Sequence, residues 1–563
     1  MSRQASALVL WTTLLSASVG VAAERPPVAR CATHELRRAI GDAHWTAPSA
    51  RAGLPCAHTP VGPPPNPQIG SSWNWYIWRL NGFPVADLKS CTVRGMGDHC
   101  YVVVEDSQWN VNVDQTQVDT IVDHFENTSI GSFPGQGIWD LDTAHFGDPP
   151  DNLDQDPRVY ILYYDFDVAS DGYFWGFDQE CDDVAQFHSN ECDVVYMNCS
   201  DFDPAGSYLL AVLAHEFEHL IHFNYDQDEL AWVDEGLAEL AMWLYGDPDD
   251  ISQFNTNPDR QLTSFGGAWY DYIKTYLWSL YFYERYGGQA SVRAVVQEPA
   301  NSILGYDHVL DAQSYTENFT DVFGDWVVAN YLDDPSIGDG RFGYAGETLP
   351  PFNPFATFST YPVGPNNASV NHWAADYVRY LNGAGLLVTF NGSDNNKFRV
   401  RALLLDPVAA TEVIDMPLGP GEVGELALPQ VGTTHEELVM VHAGIQDTGT
   451  LTYQYGAEAG AVVAPLLDGS ATLSIATLGN GSSRPELVIG IPEAAAGRPS
   501  RLDVVDVQGR VVRRLSSGAA TPGRHRVTWD ARDGSNRRVA AGVYFARLAV
   551  GEDRATARVT LVR

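Results

Sequence analysis

Residues 207–225 read Ser-Tyr-Leu-Leu-Ala-Val-Leu-Ala-His-Glu-Phe-Glu-His-Leu-Ile-His-Phe-Asn-Tyr, and this stretch decides how the chain is read. It contains the pattern H-E-x-x-H at His215, Glu216 and His219. On a helix, residues four apart lie one turn above each other, with about 6 Å between their Cβ atoms. Both imidazoles then reach one ion, while Glu216, one step round, faces a water on it. Leu209, Leu210, Val212, Leu213, Phe217, Leu220 and Ile221 supply the apolar surface that buries such a helix. A buried helix has few structural reasons to present two histidines and a glutamate together.

The third ligand sets the class of site. The metzincin pattern would put a glycine at 222 and a histidine at 225, but the chain has His222 and Tyr225 there. Downstream, residues 231–241 read Ala-Trp-Val-Asp-Glu-Gly-Leu-Ala-Glu-Leu-Ala. Glu235 and Glu239 sit four apart on this predicted second helix, so both can face the first one. Glu235 is positioned to supply a carboxylate ligand. Glu239 is positioned to accept the outer N–H of a histidine ligand, fixing its tautomer and orientation. His222 reads as a neighbour on the helix rather than a ligand, and Glu218 as a solvated charge facing away.

With both motifs in place, the sequence resembles the gluzincin metallopeptidases. Trp232 to Glu239 is similar to their second signature, an Asn-Glu-Gly-like turn whose first position here is Asp234. The spacing between the motifs is closest to secreted bacterial hyicolysin-like and immune-inhibitor-A-like peptidases, over about residues 70–345. The resemblance implies a zincin-like α+β domain holding one catalytic Zn2+ on His215, His219 and Glu235. Three protein ligands leave a fourth position for water, whose pKa zinc lowers from about 15.7 to about 7. Glu216 would take that water's proton and pass it to the leaving amine. Members of this class use a second oxyanion donor, Tyr or His. Tyr270, Tyr272 and Tyr276 are the candidates, and Tyr272 is favoured.

Working outward, the N-terminus reads as export. Arg3, the apolar run from Ala7 to Leu15 and the small residues Val21-Ala22-Ala23 form a cleavable signal over 1–23. Residues 24–68, ending in Pro63-Pro64-Pro65-Asn66-Pro67, read as a pro-segment or linker with a short helix near His34 to Ala43. All seven cysteines follow the signal, and in an oxidising compartment they should pair. Cys91 and Cys100 flank a Gly-Met-Gly turn, which suggests a hairpin disulfide; Cys181 with Cys192, or with Cys199, is the next pairing. Seven is odd, so one thiol is left over. It is either a free or buried cysteine or, on the sharper reading, a pro-segment thiolate capping a metal. Asp148, Asp151, Asp154 and Asp156 form an acidic run whose oxygen donors suit Ca2+, though a solvated turn would look the same.

The predicted organisation is multidomain: an α+β peptidase domain over 69–348, then two all-β sandwich domains. The first sandwich spans 349–460, a linker follows over 461–481, and a C-terminal Ig-like unit covers 482–563. That last unit carries 15 Arg against 8 acidic residues, while the whole chain carries 34 basic and 72 acidic side chains and a net charge of −38. Its Asp506-Val507-Gln508-Gly509-Arg510 turn and Ala541-Gly542-Val543-Tyr544-Phe545 run resemble the sorting domain of type IX secretion substrates and the flagellar hook-cap Ig-like fold. The resemblance implies outer-membrane secretion machinery as a partner and a secreted or cell-surface location in a bacterium. The acidic balance argues against nucleic acid and anionic membranes as targets. The expected function is a secreted zinc endopeptidase acting on proteins or peptides. The alternatives are a zinc aminopeptidase, for which no anchor for the substrate amine is recognisable, and a surface adhesin. Retention of Glu216 argues against the adhesin, because a binding module needs no general base.

Overall fold

The computed structural model describes residues 31–40, 62–151, 153–182, 187–394, 396–419, 421–448, 451–459, 473–478 and 484–561. The signal segment 1–23 and most of the 461–481 linker lie outside them. No helix among the described residues is long and apolar enough to cross a membrane.

The N-terminal domain is built on a six-stranded mixed sheet in the order β1-β2-β3-β4-β6-β5. Its strands are β1 Ser72–Trp78, β2 Ala86–Met96, β3 Cys100–Glu105, β4 Val159–Tyr164, β5 Gly172–Phe174 and β6 Val194–Asn198. The central strands β3, β4 and β6 are parallel and buried at every position. Their continuous apolar runs are what parallel strands covered on both faces require. Strand β5 has only three residues and pairs antiparallel with β6 at one edge of the sheet.

The helices are α1 Thr33–Ile40, α2 Gln115–Glu126, α3 Ile138–His145, α4 Ser207–Tyr225, α5 Ala231–Tyr245, α6 Trp269–Arg285, α7 Gln289–Val296, α8 Ile303–Ala312 and α9 Phe319–Leu332. Local chemistry sets their ends. Asp114 and Gln117 exchange side-chain and backbone hydrogen bonds at the start of α2. Gly246, at φ 117°, closes α5 in the left-handed conformation. Helix α6 begins at Trp269, where the Asp271 carboxylate accepts the Gly266 and Ala268 N–H groups and caps the first turn.

The first sandwich packs a four-stranded sheet, β13-β10-β15-β8, against a five-stranded one, β12-β11-β14-β9-β7. These are β7 Ala356–Phe358, β8 Val363–Val370, β9 Ala374–Leu381, β10 Leu386–Gly392, β11 Phe398–Leu405, β12 Glu412–Asp415, β13 Val423–Leu428, β14 Glu437–Gly444 and β15 Leu451–Ala459. Strand β14 is buried on both faces. Leu438 and Met440 enter the sandwich core, whereas Val439, Val441 and Ala443 join the core of the N-terminal domain. The Tyr377 hydroxyl donates to Val327 O (2.6 Å), and Arg401 pairs with Asp325 (2.6 Å) on α9. The two units therefore share one buried interface at the predicted 348/349 boundary.

The C-terminal unit has a third, separate core around Trp529, Leu502 and Val504. Its strands are β16 Ser474–Leu478, β17 Glu486–Ile491, β18 Pro499–Val505, β19 Val511–Ala519, β20 Gly523–Thr528, β21 Gly542–Val550 and β22 Asp553–Leu561, in sheets β16-β17-β20 and β19-β18-β21-β22. It begins earlier than the predicted Ser482, because β16 pairs with β17.

The expected cysteine pairings fail. Cys91, Cys100, Cys192, Cys31 and Cys199 are all free and buried. Cys91 lies opposite Glu105 while Met96 lies opposite Tyr101, so Cys91 and Cys100 sit at opposite ends of the hairpin. That places them roughly 15 Å apart along the strands, far beyond the about 7 Å a disulfide spans. Cys181 is in a disulfide, but not with Cys192 or Cys199.

Candidate metal centre

Helix α4 lies under β5 and β6 and against α5, and is buried nearly all round. His215, Glu216 and His219 are each no more than 3% exposed. The one-turn spacing brings His215 Nε2 and His219 Nε2 to 3.2 Å from each other. Helix α5 then delivers Glu235. Its Oε2 lies 3.4 Å from His215 Nε2 and 3.7 Å from His219 Nε2. A fourth donor comes from the N-terminal segment: Cys31 Sγ stands 3.6 Å from His219 Nε2. The donor atoms of Cys31, His215, His219 and Glu235 all lie within 4.8 Å of one another.

This set fits a tetrahedral ion. Metal bonds of about 2.0–2.1 Å to N and O and about 2.3 Å to S, at tetrahedral angles, separate the donors by about 3.3–3.6 Å. Both oxygens of Glu235 are buried without any hydrogen bond, which would be costly without a cation between the donors. The electrostatics agree. Burial alone lowers a histidine's pKa, yet Cys31, Glu235 and Glu239 raise His215 well above its ordinary value. Burial opposes ionisation of Glu235 too, and the two imidazoles still hold it down at about 2. The groups around this point favour positive charge at its centre.

Carboxylates stand behind both imidazoles. His219 donates its Nδ1–H to Asp234 Oδ1 (3.0 Å), and His215 Nδ1 lies 3.4 Å from Glu239 Oε1 without a hydrogen bond to it. Glu239 is therefore beside the ring its spacing pointed to, but the expected hydrogen bond is not formed. Asp234, read from sequence only as a signature position, holds the other ring by its hydrogen bond. Asp234 also joins buried Glu218 and His222 in a second cluster. The expectation that Glu218 is solvated is wrong: it is fully buried, with its Oε1 3.3 Å from His222 Nδ1. The helix has no solvent face at that turn, because α5 covers it.

Glu216 stands beside the donors but outside the ligand set. Its Oε2 accepts from Thr33 Oγ1 (3.3 Å) and lies 3.6 Å from Cys31 Sγ, while its Oε1 has no partner. Burial raises its pKa to about 7, against the pull of the two histidines, which suits a base working near neutrality. Tyr272 is buried at the same place, and its hydroxyl donates to Cys31 O at 3.4 Å. Tyr276 is engaged elsewhere, with Glu347, and Tyr270 is exposed.

The acidic run divides. Asp151 and Asp154 gather with Asp193, a residue the local pattern could not supply because it lies far along the chain, just before β6. Asp156 instead accepts from the Tyr101 hydroxyl and pairs with Arg158. Asp148 is largely exposed, 4.0 Å from Arg293. The expected four-residue calcium set is therefore not brought together.

No curated protein matches the chain. Solved structures similar to parts of it include a β-1,2-glucanase from Parabacteroides distasonis, at 12% identity and a TM-score of 0.14 over 34% of this chain and 30% of that one. PorZ, a surface component of the type IX secretion system of Porphyromonas gingivalis, gives 15% and 0.12 over 29% and 22%. The adhesin domain of Epf from Streptococcus pyogenes gives 7% and 0.12 over 34% and 71%. The chain thus spans less than a third of the first two, and likenesses this slight carry no argument. Residues 476–552, which hold most of the C-terminal unit, match the family model of the FlgD Ig-like domain.

Proposed function

We propose that this chain is a secreted, zinc-dependent endopeptidase. The observation that carries the reading is the convergence of His215, His219 and Glu235 at tetrahedral donor separations, with Glu216 beside them as an unligated base. A zinc ion held there would polarise a peptide carbonyl and make hydroxide available at neutral pH. Glu216 would take the proton of the attacking water and return it to the leaving amine. Tyr272 would donate to the carbonyl oxygen as charge develops there; burial keeps its hydroxyl protonated by raising its pKa well above the ordinary value. Strand β5, antiparallel at the sheet edge above α4, supports the zincin-like reading of the domain, since the edge strand of a sheet can pair with an extended peptide. Export, and handling by outer-membrane secretion machinery through the C-terminal unit, belong to the same proposal.

The test is metal content together with casein cleavage, measured before and after limited proteolysis. One zinc per chain and chelator-sensitive cleavage are expected. Glu216→Gln should keep the zinc and lose at least about a hundredfold in rate, the size of a general-base contribution. A Glu216→Gln protein that cleaves as well as the parent would refute the mechanism.

A further inference from the structure

Three parts of the proposed centre, the fourth donor position, the candidate oxyanion donor and the candidate base, are met by residues 31–33. Cys31 Sγ occupies the fourth donor position, 3.6 Å from His219 Nε2. Cys31 O accepts from Tyr272, the candidate oxyanion donor. Thr33 Oγ1 donates to Glu216, the candidate base, at 3.3 Å. The free edge of β5 is taken as well: Cys31 bridges to Gly172, Ala32 N–H donates to Gly172 O (3.0 Å), and Phe174 N–H donates to Thr33 Oγ1 (2.8 Å). Helix α1 then pins the segment down. Leu36 is 3% exposed in the domain core, His34 meets the Phe265 ring edge-on at 4.9 Å, and Arg37 lies 4.0 Å from Asp234.

We propose that residues 31–40 hold this enzyme latent, with the Cys31 thiolate as fourth ligand to the metal and Cys31–Thr33 lying in the peptide groove. The inference rests on the metallopeptidase reading. Cys31 and Glu235 would bring two negative charges to a divalent ion, making the centre electroneutral, and the thiol proton leaves to solvent as the metal binds. A soft thiolate bound in place of water removes the nucleophile. The segment runs parallel to β5, and it is tethered through residues 41–55, which include Arg51. A cut there leaves an eight-residue helix and its leader held by contacts alone. So short a helix is marginal by itself, so release should follow.

The test uses the full chain loaded with Co2+ in place of zinc. The parent should show a near-ultraviolet thiolate-to-cobalt charge-transfer band beside the visible bands of a four-coordinate ion. Cys31→Ala should lose the first and keep the second. Alkylation of Cys31, located by mass spectrometry, should be slow with metal bound and rise at least tenfold with chelator. Proteolysis between 41 and 55 should abolish the charge-transfer band and raise casein cleavage at least tenfold. Stoichiometric cobalt with no charge-transfer band in the parent would overturn the latency proposal while leaving the metal site standing. Failure of the parent to bind cobalt or zinc would overturn both.

Discussion

At Gly172 a Cβ would stand 2.7 Å from Glu216 Cγ and 2.9 Å from its Oε1. The edge strand and the base are in contact there, and only a bare backbone leaves the carboxylate in place. Gly172→Ala should therefore cut casein turnover at least tenfold in the proteolytically activated protein while leaving one zinc per chain, because it displaces the base and spares the ligands. The carboxylates behind the histidines give a second prediction. Asp234→Asn and Glu239→Gln should each weaken zinc binding, by about 10–100-fold. The loss should be larger for Asp234, whose contact with its ring is 3.0 Å against 3.4 Å for Glu239. Competition with a chromogenic chelator measures both. His215, Glu216, His219, Glu235 and Glu239 were legible in the sequence because each pair or trio is local, set by one helical turn. Cys31 reaches the same point from far along the chain. The odd cysteine count left a free or buried cysteine and a capping pro-segment thiolate both open, and could not say which residue it was. Asp193 was hidden for the same reason, and Asp234 because a signature position does not reveal its hydrogen bond.

Helix α5 can deliver Glu235 only if it lies close to α6, and Gly236 permits that approach. A Cβ at 236 would meet Ser279 Oγ at 2.8 Å and Thr275 O at 2.9 Å, and the second of these is backbone that cannot rotate away. Gly236→Ala should cost about 1–3 kcal/mol of stability through overpacking, seen as a lower urea midpoint. It should also weaken zinc binding, since the helix that must shift carries a ligand. In the first sandwich, β14 carries His442, which lies among the rings of Phe390 and Tyr453 with no hydrogen bond to Nδ1. Burial pushes its pKa down to about 3. The unfolded chain therefore takes up the proton first, so this contribution to stability is full above about pH 6.5 and is lost as pH falls from there toward about 3. Asp376, its partner across the ladder, is pushed up to about 7 by burial, so it becomes neutral over that interval and offers little counter-charge. Urea midpoints at pH 7 and 4.5 should show a smaller acid loss in His442→Phe than in the parent. The long periodic helices and the all-apolar strands were readable from sequence, since burial on every face leaves an uninterrupted apolar run. Strand β5 was not: three residues make no period, and its role comes from its place at the sheet edge.

Across the whole molecule, the predicted boundaries mark two different kinds of junction. Between the second and third units the cores share no described residue. Between the first and second, the alternation along β14 sends Val439, Val441 and Ala443 into the first core, and Tyr377 and Leu403 join them from neighbouring strands. The buried Arg401–Asp325 pair crosses the same interface, its side chains 7% and 4% exposed. A β-rich composition after about residue 350 revealed the sandwich, but period-2 alternation alone could not reveal that its outer face was also interior, because an apolar residue reads the same whichever core it enters. A chain ending at 460 should therefore stay soluble, bind one zinc and keep its casein activity after proteolysis. A chain ending at 348 uncovers the apolar face of α9 and takes Arg401 away from Asp325, leaving it only Arg341 at 3.6 Å. It should be recovered only as aggregate, or as a monomer melting well below the 460 form. Equal melting temperatures and equal zinc content for the two would mean that the sandwich is a passenger rather than a wall of the N-terminal unit.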